Sequence, residues 1–283
     1  MTVQAANLSG GRLHLQHGPI DLVIGAEGAA RAKALRAARV RFEGLLETLV
    51  GELPILRRAV APIPPAGPVA RRMHRAVLPH RATFVTPMAA VAGAVADEIL
   101  AAMCAAGPLR RAYVNNGGDI AVHLAPGTAF RIAVQGLDAS DHGQIAIRAE
   151  DGIGGIATSG RGGRSHTLGI ADGVTVLAPD AAAADAAATL IGNAVDLPGH
   201  PSIHRRPAHE IDPDSDLGDR AVVVGLGPLT PGEARAALLA GRSLADDMRQ
   251  SGLIAAAALM CMGQVSLVGE PMNLIEEGAL ADA

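Results

Sequence analysis

The chain has 283 residues, enough for one large domain or two lobes around an ordinary hydrophobic core. Its net charge is −4, and it has no Trp, one Tyr and three Phe. These values argue against a nucleic-acid-binding protein, because such proteins use a basic surface or a platform of stacked aromatic rings. The two cysteines, Cys104 and Cys261, lie in apolar runs, so we expect them to be buried, reduced thiols.

The first residues show neither the basic region nor the apolar region of a signal peptide. We expect no stretch of apolar residues to be long enough for a membrane-spanning helix. We therefore predict a cytoplasmic protein that does not associate with a membrane.

The first half of the chain predicts a hairpin and two helices. Apolar residues alternate over 13–24 on either side of Gly18 and Pro19, which is typical of a β-hairpin. A helical spacing of apolar residues then predicts one long amphipathic helix from Glu27 to about Leu53. The proline-rich segment 61–68 indicates an extended connector, and 86–107 reads as a buried helix that starts at a threonine cap.

The second half changes to short β-type runs separated by turn residues. These runs are RAYVNN, DIAVHL, FRIAVQ, QIAIRA, GIATS and VTVLA, and they suggest a meander. An alanine-rich helix follows Asp180, and after a polar segment predicted to be irregular come the strand AVVVG, the helix PGEARAALLAGRSLADDMRQ and two apolar strands. Because strands and helices are grouped rather than strictly alternating, the pattern favours an α+β fold.

Two glycine-containing stretches lie between these strands. The run NNGGD at 115–119 is typical of a tight hairpin turn, and it also suits close approach of the backbone to a ligand. The run GGIATSGRGGRSHTLG at 154–169 could direct successive N–H groups at a phosphate, with added charge from Arg161 and Arg164. It is neither a Walker A loop nor a serine-hydrolase elbow, and a flexible loop without a ligand is the alternative.

A carboxylate and a hydroxyl lie one turn apart on the alanine-rich helix. Asp185 and Thr189 are separated by four residues, so the two side chains share one helix face. Mg²⁺ takes one or two protein oxygens and completes its shell with water and phosphate oxygens, so this pair is a candidate magnesium site. The alternative is a solvated polar face of the helix.

Two other clusters do not fit the metal sites that they superficially suggest. Asp212, Asp214 and Asp216 begin like a calcium loop but lack its glycine and its final glutamate, so we expect a capped, solvated turn. The histidines at 200, 204 and 209 are spaced as zinc ligands might be, but prolines interrupt them and no cysteine joins them, so we expect structural or surface histidines.

The order of these motifs resembles that of the ApbE-type flavin transferases, the FAD:protein FMN transferases, over about 86–195. The matching residues are Ala92-Gly93 with Asp97, Gly117-Gly118-Asp119, Ala157-Thr158-Ser159-Gly160, His166, Val174-Thr175-Val176, and Ala184-Asp185 with Thr189. Three departures are visible: Ala92 stands at the family's lysine position, the histidine region is shortened, and the usual lipoprotein signal is missing. The chain therefore resembles a cytosolic side branch of the family.

The resemblance implies an α+β, T-fold-like architecture in one ApbE-like domain, with an N-terminal lobe at 1–85 and a ligand-binding core at 86–283. It implies FAD as the flavin nucleotide, Mg²⁺ held by Asp185 and Thr189, catalytic roles for His166 and Asp119, and a threonine of an acceptor protein as the site of FMN attachment. The residues that it implies for cofactor binding are Asn116, Gly117, Gly118, Thr158, Ser159, Gly160 and Arg164.

Three functional hypotheses remain open on this basis. The first is a Mg²⁺-dependent flavin transferase or FAD pyrophosphatase. The second is a flavin- or nucleotide-binding accessory protein of redox or sulfur metabolism that does not catalyse transfer. The third is a helper subunit without a ligand, whose glycines serve only turns. The alanine-rich helices and the amphipathic first helix also make us expect a homodimer.

Overall fold

The computed structural model describes residues 2–135, 141–163 and 165–270. The α-helices in these residues are α1 (Arg31–Phe42), α2 (Leu45–Leu56), α3 (Pro68–Val77), α4 (Val91–Ala105), α5 (Ala181–Ala194) and α6 (Pro231–Gln250). The strands are β1 (Gln4–Asn7), β2 (Leu13–His17), β3 (Ile20–Glu27), β4 (Arg111–Asn116), β5 (Asp119–Leu124), β6 (Ala129–Gln135), β7 (Asp141–Arg148), β8 (Gly155–Ser159), β9 (Gly173–Ala178), β10 (Ile203–Pro207), β11 (Ala221–Leu226), β12 (Ala256–Cys261) and β13 (Gln264–Val268).

The described residues form two compact units. Unit 1 takes in 2–128, 152–157 and 178–186, and unit 2 takes in the described parts of 129–151, 158–177 and 187–270. Strand β8 and helix α5 each contribute their beginning to unit 1 and their end to unit 2.

Unit 1 is a layer of helices on an antiparallel sheet. Strands β1 to β5 pair with their neighbours in sequence order, and the start of β8 pairs with β5. Alternate side chains of β2 and β3 are buried, so one face of this sheet forms the core. Helix α4 contacts β4, β5, α1 and α3, and most of its side chains are buried. The sequence of α4 is almost continuously apolar because it packs on several sides.

Unit 2 contains three sets of antiparallel strands. Strands β9, β12 and β13 form one, with every residue of β9 and β12 buried. Helix α6 packs on β12 and β13 and begins with a capping box between Thr230 and Glu233. The other two sets are β6 with β7 and β10 with β11.

The α+β fold class is confirmed. The predicted hairpin is β2–β3, and the predicted buried helix is α4, which follows a short 3-10 turn at 87–90 that Thr86 caps. Each predicted β-type run of the second half falls on one strand, although QIAIRA extends one residue past the end of β7. The alanine-rich helix, α6 and the final strand pair also lie where the sequence predicts them. Local signals were sufficient here because the apolar pattern and the turn residues agree.

Three local predictions were wrong, and one helix was missed. The helix expected over 27–53 begins only at Arg31 and is broken at Gly44, whose positive φ of 70° ends one helix and starts the next. Helix α3 was not predicted, although its buried residues recur at helical spacing. Strand β10 lies in the segment expected to be irregular, and it exists because β11 supplies its hydrogen-bond partners. Among the described residues, β6 and β7 pair only with each other, so the strand runs do not form a single meander.

The prediction that no stretch could span a membrane was also wrong by length and composition. The segment Pro87–Ala105 satisfies both criteria, and half of its most apolar window is buried inside the structure. Its contacts with α1, α3, β4 and β5 in unit 1 are those of a core helix.

Candidate functional site

The beginning of α5, in unit 1, is held by carboxylates. Ala181 N–H and Ala182 N–H donate to the two oxygens of Asp97 at 3.0 and 2.9 Å. Ala183 N–H donates to Asp180 Oδ1 at 2.8 Å, so Asp180 caps the helix that the sequence predicts after it. The first N–H groups of a helix have no partner within the helix, so these bonds satisfy donors that would otherwise be buried without one.

Asp185 makes the converse contact with the beginning of α4. Its Oδ2 accepts a hydrogen bond from Gly93 N–H at 3.0 Å, and the Ala92 amide also donates to its carboxylate. Since α4 begins at Val91, both amides belong to its first turn. Each of the two helices therefore starts at a carboxylate carried by the other.

The two helices approach closely at Gly93. A Cβ atom added there would lie 2.2 Å from Ala181 O, closer than any side chain allows. The absence of a side chain at Gly93 brings the Asp185 carboxylate within hydrogen-bond reach of the α4 amides.

Burial and like charges act together on these carboxylates. Burial raises the pKa of Asp185 well above its usual range, and repulsion from Asp119 and Asp97 adds to the effect. Burial, with repulsion from Asp180, raises the pKa of Asp97 to about 6, against the opposing effect of its two amide donors. Ionising these carboxyls together is therefore unfavourable in the absence of a counter-charge, and a cation bound there would relieve the repulsion.

The NNGGD run forms the hairpin turn between β4 and β5. Asn116 pairs with Asp119 across a two-residue turn whose glycines, Gly117 and Gly118, both have positive φ, of 66° and 114°. The predicted tight turn is confirmed. The buried Asn116 Nδ2 donates to Ala92 O at 3.1 Å, which ties the turn to the start of α4.

Unit 2 contains the other predicted site residues. Thr158 and the buried Thr175 share a hydrogen bond of 2.9 Å between their hydroxyls. Ser159 O lies against α5 at Gly192, where an added Cβ would be 4.0 Å away. Thr189 is partly buried one turn earlier on α5.

The loop after β8 contains the remaining predicted residues. Arg161 pairs with Asp172 at 2.7 Å, so its charge is already compensated within unit 2. His166 is partly buried, and Arg164 lies outside the described residues. Gly160 is buried against the Asp172 carbonyl, where a Cβ would lie 2.5 Å away.

Asn193, near the end of α5, holds this loop in a way that sequence reasoning missed. Its Oδ1 accepts hydrogen bonds from Leu168 N–H at 2.9 Å and from the Thr167 hydroxyl at 3.2 Å. The buried Thr167 lies next to His166 in the chain, so Asn193 fixes the backbone beside that histidine. An asparagine in the last turn of a helix gives no sequence signal of such a contact.

Close backbone packing explains several glycines of the stretch 154–169. In unit 1 a Cβ at Gly154 would lie 2.3 Å from Pro179 O, and one at Gly155 would lie 2.2 Å from Ala181 N. In unit 2 a Cβ at Gly169 would lie 2.1 Å from Gly192 O. A phosphate-binding role for this stretch therefore stays a prediction beside an observed packing role.

Residues of the two clusters rejected as metal sites make other contacts. His200 pairs with Glu233 and His209 with Asp219, and Asp212 caps the amide of Asp214 in an exposed turn. No group of three or more His, Cys, Asp or Glu side chains in the described part of the chain is arranged to hold a metal ion. A Mg²⁺ site with one or two protein oxygens does not require such a group.

Both thiols have the properties expected of structural cysteines. Cys261 is buried and Cys104 partly buried, and burial raises the pKa of each thiol, to about 11 at Cys261. A raised pKa disfavours the reactive thiolate.

Comparisons with known proteins identify the family of this chain. A family model described as "AbpE bacteria" matches residues 4–267 and confirms the resemblance to the ApbE-like family. A UPF0280 protein of Methanopyrus kandleri is 35% identical over 213 residues, covering 72% of this chain and 83% of that protein. A UPF0280 protein of Methanothrix thermoacetophila is 41% identical over 136 residues, covering 47% and 55%.

The crystal structure of the Pseudomonas stutzeri flavinyl transferase ApbE aligns with the structure of this chain with a TM-score of 0.47. The two chains are 13% identical, and the alignment covers 95% of each.

Proposed function

We propose that this chain, which belongs to the family described as "AbpE bacteria", binds FAD and, with Mg²⁺, transfers FMN from it to a threonine of an acceptor protein. The observation that carries the proposal is the Asp185 carboxylate, fixed by α4 amides and close enough to Asp119 for their charges to repel. The ordered motifs of the flavin transferases support the same assignment. A cytoplasmic location and a homodimer stay predictions.

The donor chemistry fits a magnesium ion. Asp185 supplies a carboxylate whose pKa is raised, and Thr189 supplies a hydroxyl one helical turn away on α5. Hard oxygen donors of this kind suit Mg²⁺, and the accumulated negative charge favours a divalent cation over a proton as pH rises. When bound, Mg²⁺ would polarise a pyrophosphate oxygen and stabilise negative charge on the leaving phosphate.

The remaining predicted residues would bind and orient the substrate. In unit 1 the Gly117–Gly118 turn offers an exposed backbone without side chains, and in unit 2 the exposed Thr158 offers a hydroxyl. We assign proton handling to Asp119 and His166, one of which would accept the proton of the acceptor threonine. The bond that forms joins the threonine oxygen to the FMN phosphorus, and the bond that breaks releases AMP.

Ala92 favours a second candidate, a protein that binds flavin without transferring it. The family's lysine is replaced by a side chain that supplies no charge, while the Ala92 backbone is occupied by hydrogen bonds to Asp185 and Asn116. Without a cation at this position, binding of the nucleotide could persist while stabilisation of the transition state is lost.

Two measurements separate these candidates. Uptake of FAD should raise the unfolding temperature and give a flavin absorbance band, which the absence of Trp makes easy to see. Incubation with FAD, Mg²⁺ and threonine-containing peptides should release AMP if the chain is a transferase. FAD binding without AMP release would support the second candidate, and no FAD binding at all would contradict both.

The metal assignment is tested by Asp185→Asn, which keeps the shape of the side chain and removes its charge. We expect AMP release to fall on the order of 100-fold, as when one electrostatic stabiliser is lost. Asp247→Asn, on the exposed face of α6, is the matched control and should have no effect. Equal rates in Asp185→Asn and the wild type would contradict the metal assignment.

A further inference from the structure

The mutual capping of α4 and α5 joins two contacts that lie far apart in sequence. Asp97 on α4 accepts from the first two amides of α5, and Asp185 on α5 accepts from the Ala92 and Gly93 amides of α4. Both contacts lie within unit 1, and Gly93 stands at the close approach between the helices. We call this set of contacts, made by Asp97, Gly93 and Asp185, the helix clamp.

Asp97 is poorly placed to bind a ligand directly. Only 8% of its surface is exposed, and each of its carboxylate oxygens already accepts an amide hydrogen bond from α5. Burying a charged group is costly unless hydrogen bonds compensate for the lost water, and for Asp97 the α5 amides supply them. This argues that Asp97 acts through the helix that it holds.

We propose that Asp97 is a positioning residue that sets the location of Asp185 by fixing the start of α5 on α4. Asp185 lies one turn after the amides that Asp97 binds, so a shift of the helix start moves its carboxylate with it. The Gly93 contact limits that movement, because the helices are already at their closest approach. The proposal rests on the proposed function only where it concerns the metal.

Asp180 provides a matched comparison within the same turn. It also caps α5, through Ala183, but it belongs to the start of α5 itself and makes no hydrogen bond to α4 among those described. Asp180→Ala should therefore weaken the helix cap without opening the clamp. Asp97→Asn should open it, because one amide oxygen cannot replace two carboxylate oxygens facing two N–H donors.

The first measurement needs no metal. Hydrogen exchange of the Gly93 amide, which donates to Asp185, reports whether that carboxylate is in place. We expect faster exchange at Gly93 in Asp97→Asn and unchanged exchange in Asp180→Ala. In the wild type the Gly93 and Ala182 amides should share one opening free energy, a test that holds even if Asp97→Asn fails to fold.

The second measurement is Mn²⁺ binding to the whole chain, followed by water proton relaxation. Asp97→Asn should weaken binding roughly 10- to 100-fold, the range seen when a partner of a metal ligand is lost, while Asp180→Ala changes it little.

Three results would overturn the positioning role. Exchange at the Gly93 amide could be unaffected by Asp97→Asn, or it could be affected equally by Asp97→Asn and Asp180→Ala. In the wild type, the Gly93 amide could also exchange independently of the Ala182 amide. Wild-type protein with a coupled Gly93 amide but no affinity for Mn²⁺ would instead overturn the metal assignment and leave the clamp standing.

Discussion

The two ends of helix α5 are held by different chemistry. Its beginning, in unit 1, is bound through ionisable carboxylates at Asp97 and Asp180, and it carries Asp185. Its end, in unit 2, is bound to the loop after His166 through the neutral side chain of Asn193. At each end a glycine allows close packing of the backbone, Gly93 at the beginning and Gly169 at the end. The ends therefore differ in the side chains that hold them and not in how closely the backbones approach. The carboxylate-rich beginning of α5 should therefore respond more strongly to pH and to metal ions than its end, where the Arg205–Asp196 ion pair also contacts the loop.

The largest expected effect comes from substituting the glycine at each end. Gly93→Ala and Gly169→Ala would place a Cβ 2.2 and 2.1 Å from a backbone oxygen, so each should lower the free energy of unfolding by about 3 kcal/mol or more. Urea denaturation measures the free energy of unfolding of both variants. Gly51→Ala is the control, because an added Cβ in the middle of α2 meets no atom within 4 Å and should stabilise by about 0.5–1 kcal/mol. A neutral result at Gly93 would show that the helices can separate freely.

The next largest effect is the pH dependence of the stability that Asp97 contributes at the beginning of α5. The pKa of Asp97 is raised from 3.8 to about 6, so the folded state binds more protons than the unfolded state between these values. Its contribution to stability is present below pH 4 and is lost as pH rises to about 6, by roughly 3 kcal/mol. Asp97→Asn should lack this loss, so its stability relative to the wild type should improve from pH 4 to 6 in urea unfolding. A constant difference across this window would contradict the raised pKa.

A smaller effect is expected at the neutral end. Asn193→Ala leaves the Leu168 amide without its acceptor and removes one of the two acceptors of the Thr167 hydroxyl, which should cost about 1–2 kcal/mol at every pH. Asn193→Asp keeps an acceptor oxygen and should retain more of the stability. Thermal unfolding at pH 5 and pH 8 measures the stability of both variants. If the stability lost in Asn193→Ala differed markedly between the two pH values, this end of the helix would also be sensitive to pH, against the prediction.

The most specific prediction concerns metal affinity. Because the pKa of Asp185 is raised, a proton competes with the metal over a range where an ordinary aspartate is already ionised. Mg²⁺ affinity should rise with pH, by up to about tenfold per unit below that pKa, and then level off. Titration calorimetry at several pH values measures the affinity, and Asp247→Asn, on the exposed face of α6, should leave the slope unchanged. An affinity that does not vary with pH would argue against Asp185 as a ligand.

Many of the elements could be predicted from the sequence, and the failures have local causes. The break at Gly44 was missed because the apolar spacing continues through it, while its left-handed backbone ends the helix. Strand β10 was missed because its residues are polar and basic, and only pairing with β11 makes them a strand. Helix α3 had a readable signal in Val69, Met73 and Val77, which recur every four residues.

The sequence by itself determined the α+β class, the tight turn at 117–118 and the presence of a carboxylate and a hydroxyl one turn apart on α5, because these follow from periodicity and turn chemistry over a few residues. Only the tertiary structure decided which amides Asp97 and Asp185 bind and which loop Asn193 holds. Those hydrogen bonds join residues 84, 92 and 25 positions apart, and contacts over such distances depend on how helices and strands pack.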